Sequence, residues 1–407
     1  MSCSNLPLAG LRVVDAATYI AAPSAAAILS DFGAEVIKIE RPPFGDPYRY
    51  LYQTPGLPSS PHNYPFIVDN RNKRSLALNL GHESGRDILL KLVERADVFI
   101  TNYQPQMQAR FRIAYEDLSP LNSRLIYAMV TGYGELGEEA EKPGYDMTAY
   151  FARSGLMTYL HNADAEPCTS PCGFGDHPTA MSLFAGIMLA LFQRASSGSG
   201  CKVATTLMHN GVWSNSSLVQ SSLCGAGWPA KWSRGNAPNP LVNHYSTLDG
   251  KRFMFTLLDA PKDWPKLCAA LGRPDLLDDP RFSTTEARRE NCEAIIAILD
   301  IEFASRPMVE WAARFKQHDV LYGIAPQTEE VSLDRQMADN GVFVPLSDAP
   351  FRTVDSPVSI QGIEKAVPSL PPEVGQHSRE ILAEIGYSNP DIATLESAGV
   401  ILQHHEN

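Results

Sequence analysis

Cysteine is scarce in this chain: seven residues among 407, scattered at 3, 168, 172, 201, 224, 268 and 292. The one close pair, Cys168 and Cys172, has no second pair and no ligand-spaced histidine beside it. Neither a disulfide scaffold nor a metal site is expected, and reduced thiols in a cytoplasmic protein are. Basic residues are also in deficit, 34 Lys and Arg against 46 Asp and Glu, for a formal net charge of −12. That balance argues against nucleic acid or an anionic membrane as partner, and any anionic ligand must meet a local basic cluster. No stretch approaches the ~20 consecutive apolar residues of a membrane span. The opening Met1-Ser-Cys-Ser-Asn-Leu-Pro7 lacks the basic and apolar regions of a secretory signal.

Several motifs are missing. There is no G-x-S-x-G elbow, no H-E-x-x-H and no G-x-x-x-x-G-K-[ST] loop, so ATP-driven acid activation by that loop is not expected. The turn after the first expected strand, Ala16-Ala-Thr-Tyr-Ile-Ala-Ala22, lacks G-x-G-x-x-G, which removes the usual backbone cradle for a dinucleotide pyrophosphate.

What is present is an ordinary globular composition, 44% hydrophobic and 20% charged, long enough for two or three packed units. Leu11 to Asp15 reads as a strand, Ala21 to Phe32 as an Ala-rich helix with Pro23 in its first turn, and Ala34 to Glu40 as a second strand. Pro42 to Asn70 reads as a long surface excursion of the kind that covers a site. Further strands are expected at Asn72 to Asn79, Asp97 to Asn102, Arg124 to Gly134 and Lys202 to Leu207, with a helix over His82 to Ala96. Strands alternating with helices imply an α/β fold with a parallel sheet covered on both faces. A long helix is expected over Met208 to Leu223, then a Gly/Pro/Trp-rich linker. Beyond it, strand-like Leu248 to Leu258 and several helices suggest a small α+β domain. The expected division is 1–224 large domain, 225–330 small domain with linkers, and 331–407 return segment, ending in a helix around Ser378 to Ile385.

The chain is organised around Gly173-Phe-Gly-Asp-His-Pro178 and the apolar run after it. Gly175 permits a tight turn, Pro178 suits a first helical turn, and Met181, Phe184, Ala185, Met188, Leu191 and Phe192 recur at helical spacing. Asp176 therefore stands where a helix begins. Capping is the common use of such an aspartate. The alternative is a reactive carboxylate, kept ionised near neutral pH by unpaired N–H groups and the helix dipole. Other polar groups fall at expected strand ends, where open α/β sheets bind ligands: Arg41, Lys73, Arg74, Asn102, Tyr103, Arg110, Tyr145 and Asp146. Each also has an ordinary structural use as surface charge, core edge or turn residue, and His177 has one in packing.

Pro7 to Asp15, Asp31-Phe-Gly-Ala-Glu-Val-Ile-Lys-Ile-Glu-Arg-Pro42 with Gly45-Asp46, Asn72-Lys-Arg-Ser75, Asn102-Tyr-Gln-Pro105, Thr131-Gly-Tyr-Gly134, Pro143-Gly-Tyr-Asp146 and Gly175-Asp176 run through nearly the whole chain in order. Together they resemble the class III coenzyme A transferases of the CaiB/BaiF type. The resemblance implies a large Rossmann-like domain built from both chain ends plus a small domain, in a homodimer of interlocked rings. It implies that Asp176 is the nucleophile, that coenzyme A, as co-substrate, lies near Arg41, Lys73, Arg74, Asn102, Tyr103 and Arg110, and that Tyr145, Asp146, Ile20 and His177 adjoin the reacting carboxylate. Acyl-CoA and a carboxylic acid would be the substrates, and no metal or ATP is required. Oxyanion donors are expected among backbone N–H groups around Gly175.

Ile20 stands where the formyl-CoA and oxalate enzymes carry Gln, and no glycine-rich run in 225–260 resembles their active-site loop. Tyr19-Ile-Ala-Ala-Pro23, Thr131 to Glu135, Tyr145 to Gly155 and Asn236 to Pro240 look closer to the 2-hydroxyacyl-CoA branch. A 2-methylacyl-CoA racemase of the same superfamily would carry His where Tyr145 stands, and a non-catalytic CoA-binding module would not need Asp176.

Overall fold

In the computed structural model, residues 6–404 are described, and Cys3 lies outside them. The strands β1 (Arg12–Ala16), β2 (Glu35–Glu40), β3 (Arg74–Leu78), β4 (Val98–Thr101), β5 (Ile126–Thr131) and β6 (Lys202–Thr206) run parallel in one sheet. A short strand, β7 (Ile401–Leu402), joins its edge antiparallel to β3. The spatial order is β7-β3-β2-β1-β4-β5-β6, so the strand sequence reverses direction between β1 and β4. At such a reversal the loops beyond the strand ends diverge and leave a crevice.

The helices follow from composition. Helix α1 (Ala21–Asp31) is buried along its whole length, because its alanines let it pass close to the sheet and to a second helix. α2 (Tyr64–Asn70) is a capped helix of about two turns, started by Asn63 and Pro65. α3 (Glu83–Val93) buries Ile88, Leu89, Leu92 and Val93 on one face. α4 (Pro105–Phe111) ends where Arg112 turns left-handed. α5 (Asp176–Ser197) packs on α1 through Phe32 and Phe184, whose rings stack at 6.3 Å. α5 is also long and apolar enough, by length and composition, to cross a membrane. Its buried Ala180, Leu183, Phe184, Ile187 and Ala190 place it in the core of the sheet domain.

The expected surface excursion over 42–70 is corrected. It holds a 3-10 segment, Pro47–Gln53, and α2, and it buries Asp46, Tyr48, Phe66, Ile67, Asp69 and Asn70. Its proline and tyrosine content conceals this, because neither segment is long enough to show a period. The expected helix over Met208 to Leu223 is two helices, Leu207–Ser214 and Ser216–Leu223. They part at Asn215, whose side-chain amide donates to the Ser154 carbonyl at 2.9 Å.

Two compact units divide the chain. The first comprises the residues through Tyr159, Thr169–Gly225 and those from Gly341 onward; the second is Leu160–Cys168 with Ala226–Asn340. In the second, strands His244–Ser246 and Arg252–Phe255 pair as a hairpin, and Tyr322–Ala325 adds to the latter. Leu248 and Gly250 lie in the hairpin turn, so the strand expected over Leu248 to Leu258 is shifted. Phe253, Phe255, Phe303, Trp311 and Phe315 form an aromatic core there.

Candidate active site

The turn after β1 sits at the strand-order reversal. Where a dinucleotide-binding fold has glycines, this chain bonds the turn to its neighbours. Asn102, just past β4, accepts from the Thr18 N–H at 3.0 Å and donates to the Thr18 carbonyl at 2.7 Å. Tyr19, at φ +64°, donates its N–H to Asp46 at 3.1 Å. The Tyr19 and Tyr145 rings meet edge to face at 5.5 Å, and their hydroxyl contact, with burial, pushes Tyr19 up to about 12. Ile20 is buried with Tyr48 and Phe66, an apolar wall where a glutamine was the alternative.

Asp176 is the first residue of α5, after Gly175. Gly175 is not needed for a turn, since its φ is an ordinary −95°. It is needed for space, because a Cβ there would lie 2.4 Å from Cγ of the Tyr150 ring. Asp176 does not cap its helix, and no hydrogen bond reaches its carboxylate from the described residues. The expectation that the helix start keeps it ionised is overturned. Burial pushes its carboxyl up to about 8, with help from the charges of Asp146 and Asp69; only His177 pulls the other way. The helix start offers little to resist this. The Gly175 N–H faces Asp146 at 3.4 Å, the His177 N–H donates to the Gly173 carbonyl at 3.1 Å, and Pro178 has no donor. For the same reason Gly175 is not a free oxyanion donor.

Asp146, 7% exposed, opens a π-helical turn, Asp146–Ala152, and accepts from the Met147 N–H at 2.8 Å. Tyr145 beside it is exposed. His177 does more than pack, since its Nε2 lies 3.0 Å from Asp69. Asp69 is the site residue that sequence reasoning missed. It lies at the end of a helix too short to give a periodic signal.

The expected basic cluster divides. Arg41, just past β2, is exposed and acts electrostatically on Tyr103. Tyr103 packs against Phe111 at 5.8 Å, and the exposed Arg110 lies 5.8 Å over that same ring. These three form one edge beyond β2 and β4. Lys73 and Arg74 do not join them. Lys73 is fully buried, bonding Asp15 at 2.8 Å, the Pro23 and Asp69 carbonyls, and Asn70; burial lowers it to about 8. Arg74, the first residue of β3, meets Glu35, Glu380 and Glu384, which neutralise it.

The model of CoA-transferase family III matches residues 8–378. The chain belongs to that family. This CoA-transferase is 32% identical over 400 residues to (R)-2-hydroxy-4-methylpentanoate CoA-transferase of Clostridioides difficile, covering 97% of this chain and 99% of that one. It is 31% identical to cinnamoyl-CoA:phenyllactate CoA-transferase of Clostridium sporogenes, covering 98% of each. A CAIB/BAIF family protein from Brucella suis shares the fold at TM-score 0.84 and 28% identity, covering 94% of this chain and 100% of that one. As a CoA-transferase it acts on CoA thioesters.

Proposed function

We propose that this CoA-transferase moves coenzyme A from an acyl-CoA to a 2-hydroxy acid through Asp176. The observation that carries the reading is a half-buried carboxylate that accepts no hydrogen bond among the described residues and sits at the start of α5 among other carboxylates. Such a group is poorly solvated, and its anion is correspondingly nucleophilic. An ionised Asp176 oxygen attacks the donor carbonyl and the C–S bond breaks, giving a mixed anhydride and CoA thiolate. The thiolate attacks the Asp176 acyl carbon and releases the donor acid, leaving an aspartyl-CoA thioester. The acceptor carboxylate then repeats the two displacements in reverse and leaves as the new thioester. One thioester replaces another, so the overall exchange is close to balanced.

Arg41, Asn102, Tyr103 and Arg110 would hold the coenzyme A part, while Tyr145 and Asp146 border the reacting carbonyl. The apolar wall of Ile20, Tyr48 and Phe66 supports an acid with a hydrocarbon side chain rather than oxalate or formate. The names of the two relatives above point the same way. An interlocked homodimer is part of the reading. It is supported by Leu189, Phe192 and Trp213, which are 71%, 81% and 74% exposed in one copy.

The test is intact mass of wild type and Asp176→Ala after brief mixing with isocaproyl-, isocaprenoyl-, cinnamoyl-, formyl- and succinyl-CoA, with hydroxylamine or borohydride trapping. A CoA-sized mass increase before trapping, replaced after trapping by a hydroxamate or reduced side chain on the Asp176 peptide, lost in the variant and strongest with a branched or aryl donor, supports the reading. An adduct retained by Asp176→Ala overturns the nucleophile, and loading by formyl-CoA alone overturns the substrate class.

A further inference from the structure

One pair beside Asp176 has no part in the displacement steps above. Asp69, 1% exposed, gathers donors from three elements: Ser24 Oγ of α1 at 2.7 Å, the Tyr48 hydroxyl at 2.7 Å and His177 Nε2 at 3.0 Å. The other side of the His177 ring lies against Gly173. The fit is close. A Cβ at Gly173 would stand 2.8 Å from Cε1 and 3.0 Å from Nδ1 of that ring, and Gly173 is held at φ +80°.

An Asp69 carboxylate that takes the Ser24 and Tyr48 hydroxyls can only accept from Nε2, so that nitrogen is a donor, and the carboxylate beside it favours the charged form of the ring. Burial opposes the charge, but Asp69 and Asp176 outweigh it, and His177 is raised above its ordinary value. The groups that face this pair are Asp69 on α2, Asp176 on α5, Asp146 at the π-helical turn, and Tyr48 and Cys172. Burial pushes Tyr48 up, and Cys172 up to about 11, so both are neutral at pH 7. Among the charges that act on Asp176, two carboxylates oppose its ionisation and His177 alone favours it.

We infer that Asp69 is a positioning residue that locks His177 as a fixed imidazolium, and that this cation, rather than working as acid or base, keeps a reactive fraction of Asp176 ionised. As an imidazolium held at Nε2 by Asp69, the ring has no lone pair to offer a substrate proton. The inference rests on the reading of Asp176 as nucleophile.

Two measurements on the full chain test it. The first is the titration of the Asp176 carboxyl and the His177 ring by carbon NMR, the Asp176 signal being assigned by its loss in Asp176→Ala. The second is the pH profile of kcat/KM with cinnamoyl-CoA as donor and phenyllactate as acceptor. His177→Gln should move the Asp176 midpoint and the acid limb up by about one pH unit. That is about tenfold in kcat/KM at pH 7, with convergence on wild type at high pH. Asp69→Asn should lower the His177 midpoint. An Asp176 midpoint that stays in place or falls in folded His177→Gln overturns the inference, as does a His177 midpoint unmoved by Asp69→Asn. Should Asp69→Asn not fold, His177→Gln decides alone, since that side chain is half exposed. Full activity in Asp176→Ala would instead overturn the nucleophile, while the NMR midpoints still decide the coupling.

Discussion

Asp146→Asn should make the transferase faster at neutral pH. With Asp176 titrating at about 8, only about one molecule in ten carries the attacking anion at pH 7. After burial, the charge of Asp146 is the largest cause of that displacement. Asparagine keeps an oxygen for the Met147 N–H, so the π-helical turn need not rearrange. Removing one of two repelling charges in a half-buried site is worth about one pH unit, ~1.4 kcal/mol. The ionised fraction at pH 7 then rises to about one half, a gain of about fivefold in kcat/KM. The assay is kcat/KM for a saturable acceptor and limiting acyl-CoA from pH 6 to 9.5. The acid limb reports the free enzyme's carboxyl and should shift to lower pH. Above pH 9 Asp176 is ionised in both proteins, so the advantage should vanish. A limb that stays at the wild-type position, or moves up, would refute the electrostatic account of Asp176.

Other consequences concern stability and binding. A carboxyl raised in the folded state contributes stability that is complete below its unfolded value, near 4, and lost as pH rises through about 8. Asp176→Asn should therefore raise stability by ~2 kcal/mol at pH 8.5 and hardly at all at pH 4, measured by urea unfolding at both. Lys73→Met should leave Asp15 without its nearest partner in the core and cost ~3 kcal/mol in the same assay, at any coenzyme A concentration. Arg41→Ala and Arg110→Ala, both exposed, should raise KM for acyl-CoA severalfold while leaving the melting temperature within about 2 °C. Gly175→Ala should drive a methyl into the Tyr150 ring, destabilise by ~2 kcal/mol and abolish adduct formation, read by thermal melting and mass.

The parallel sheet was legible in the sequence because its strands are short apolar runs separated by amphipathic helices. Such local patterns survive without tertiary information: β1 to β6 and α1, α3 and α5 lie within a few residues of where pattern places them. The position of Asp176 at a helix start was legible too, from Pro178 and the apolar run behind it. Its protonation was not. Local spacing registers the helix dipole but not the carboxylates of Asp146 and Asp69, which arrive from 30 and about a hundred residues away in the chain. Nor could it sort the basic residues. Lys73 and Arg74 are neighbours in sequence at the entry to β3, yet one side chain enters a buried network around Asp15 and the other meets three glutamates. Sequence alone determined the order of the elements and which carboxylate begins α5, since both depend on residues within one turn or strand. Tertiary structure alone decided the charge on that carboxylate and the partner of His177, since burial and charge act through space between segments that no periodicity connects.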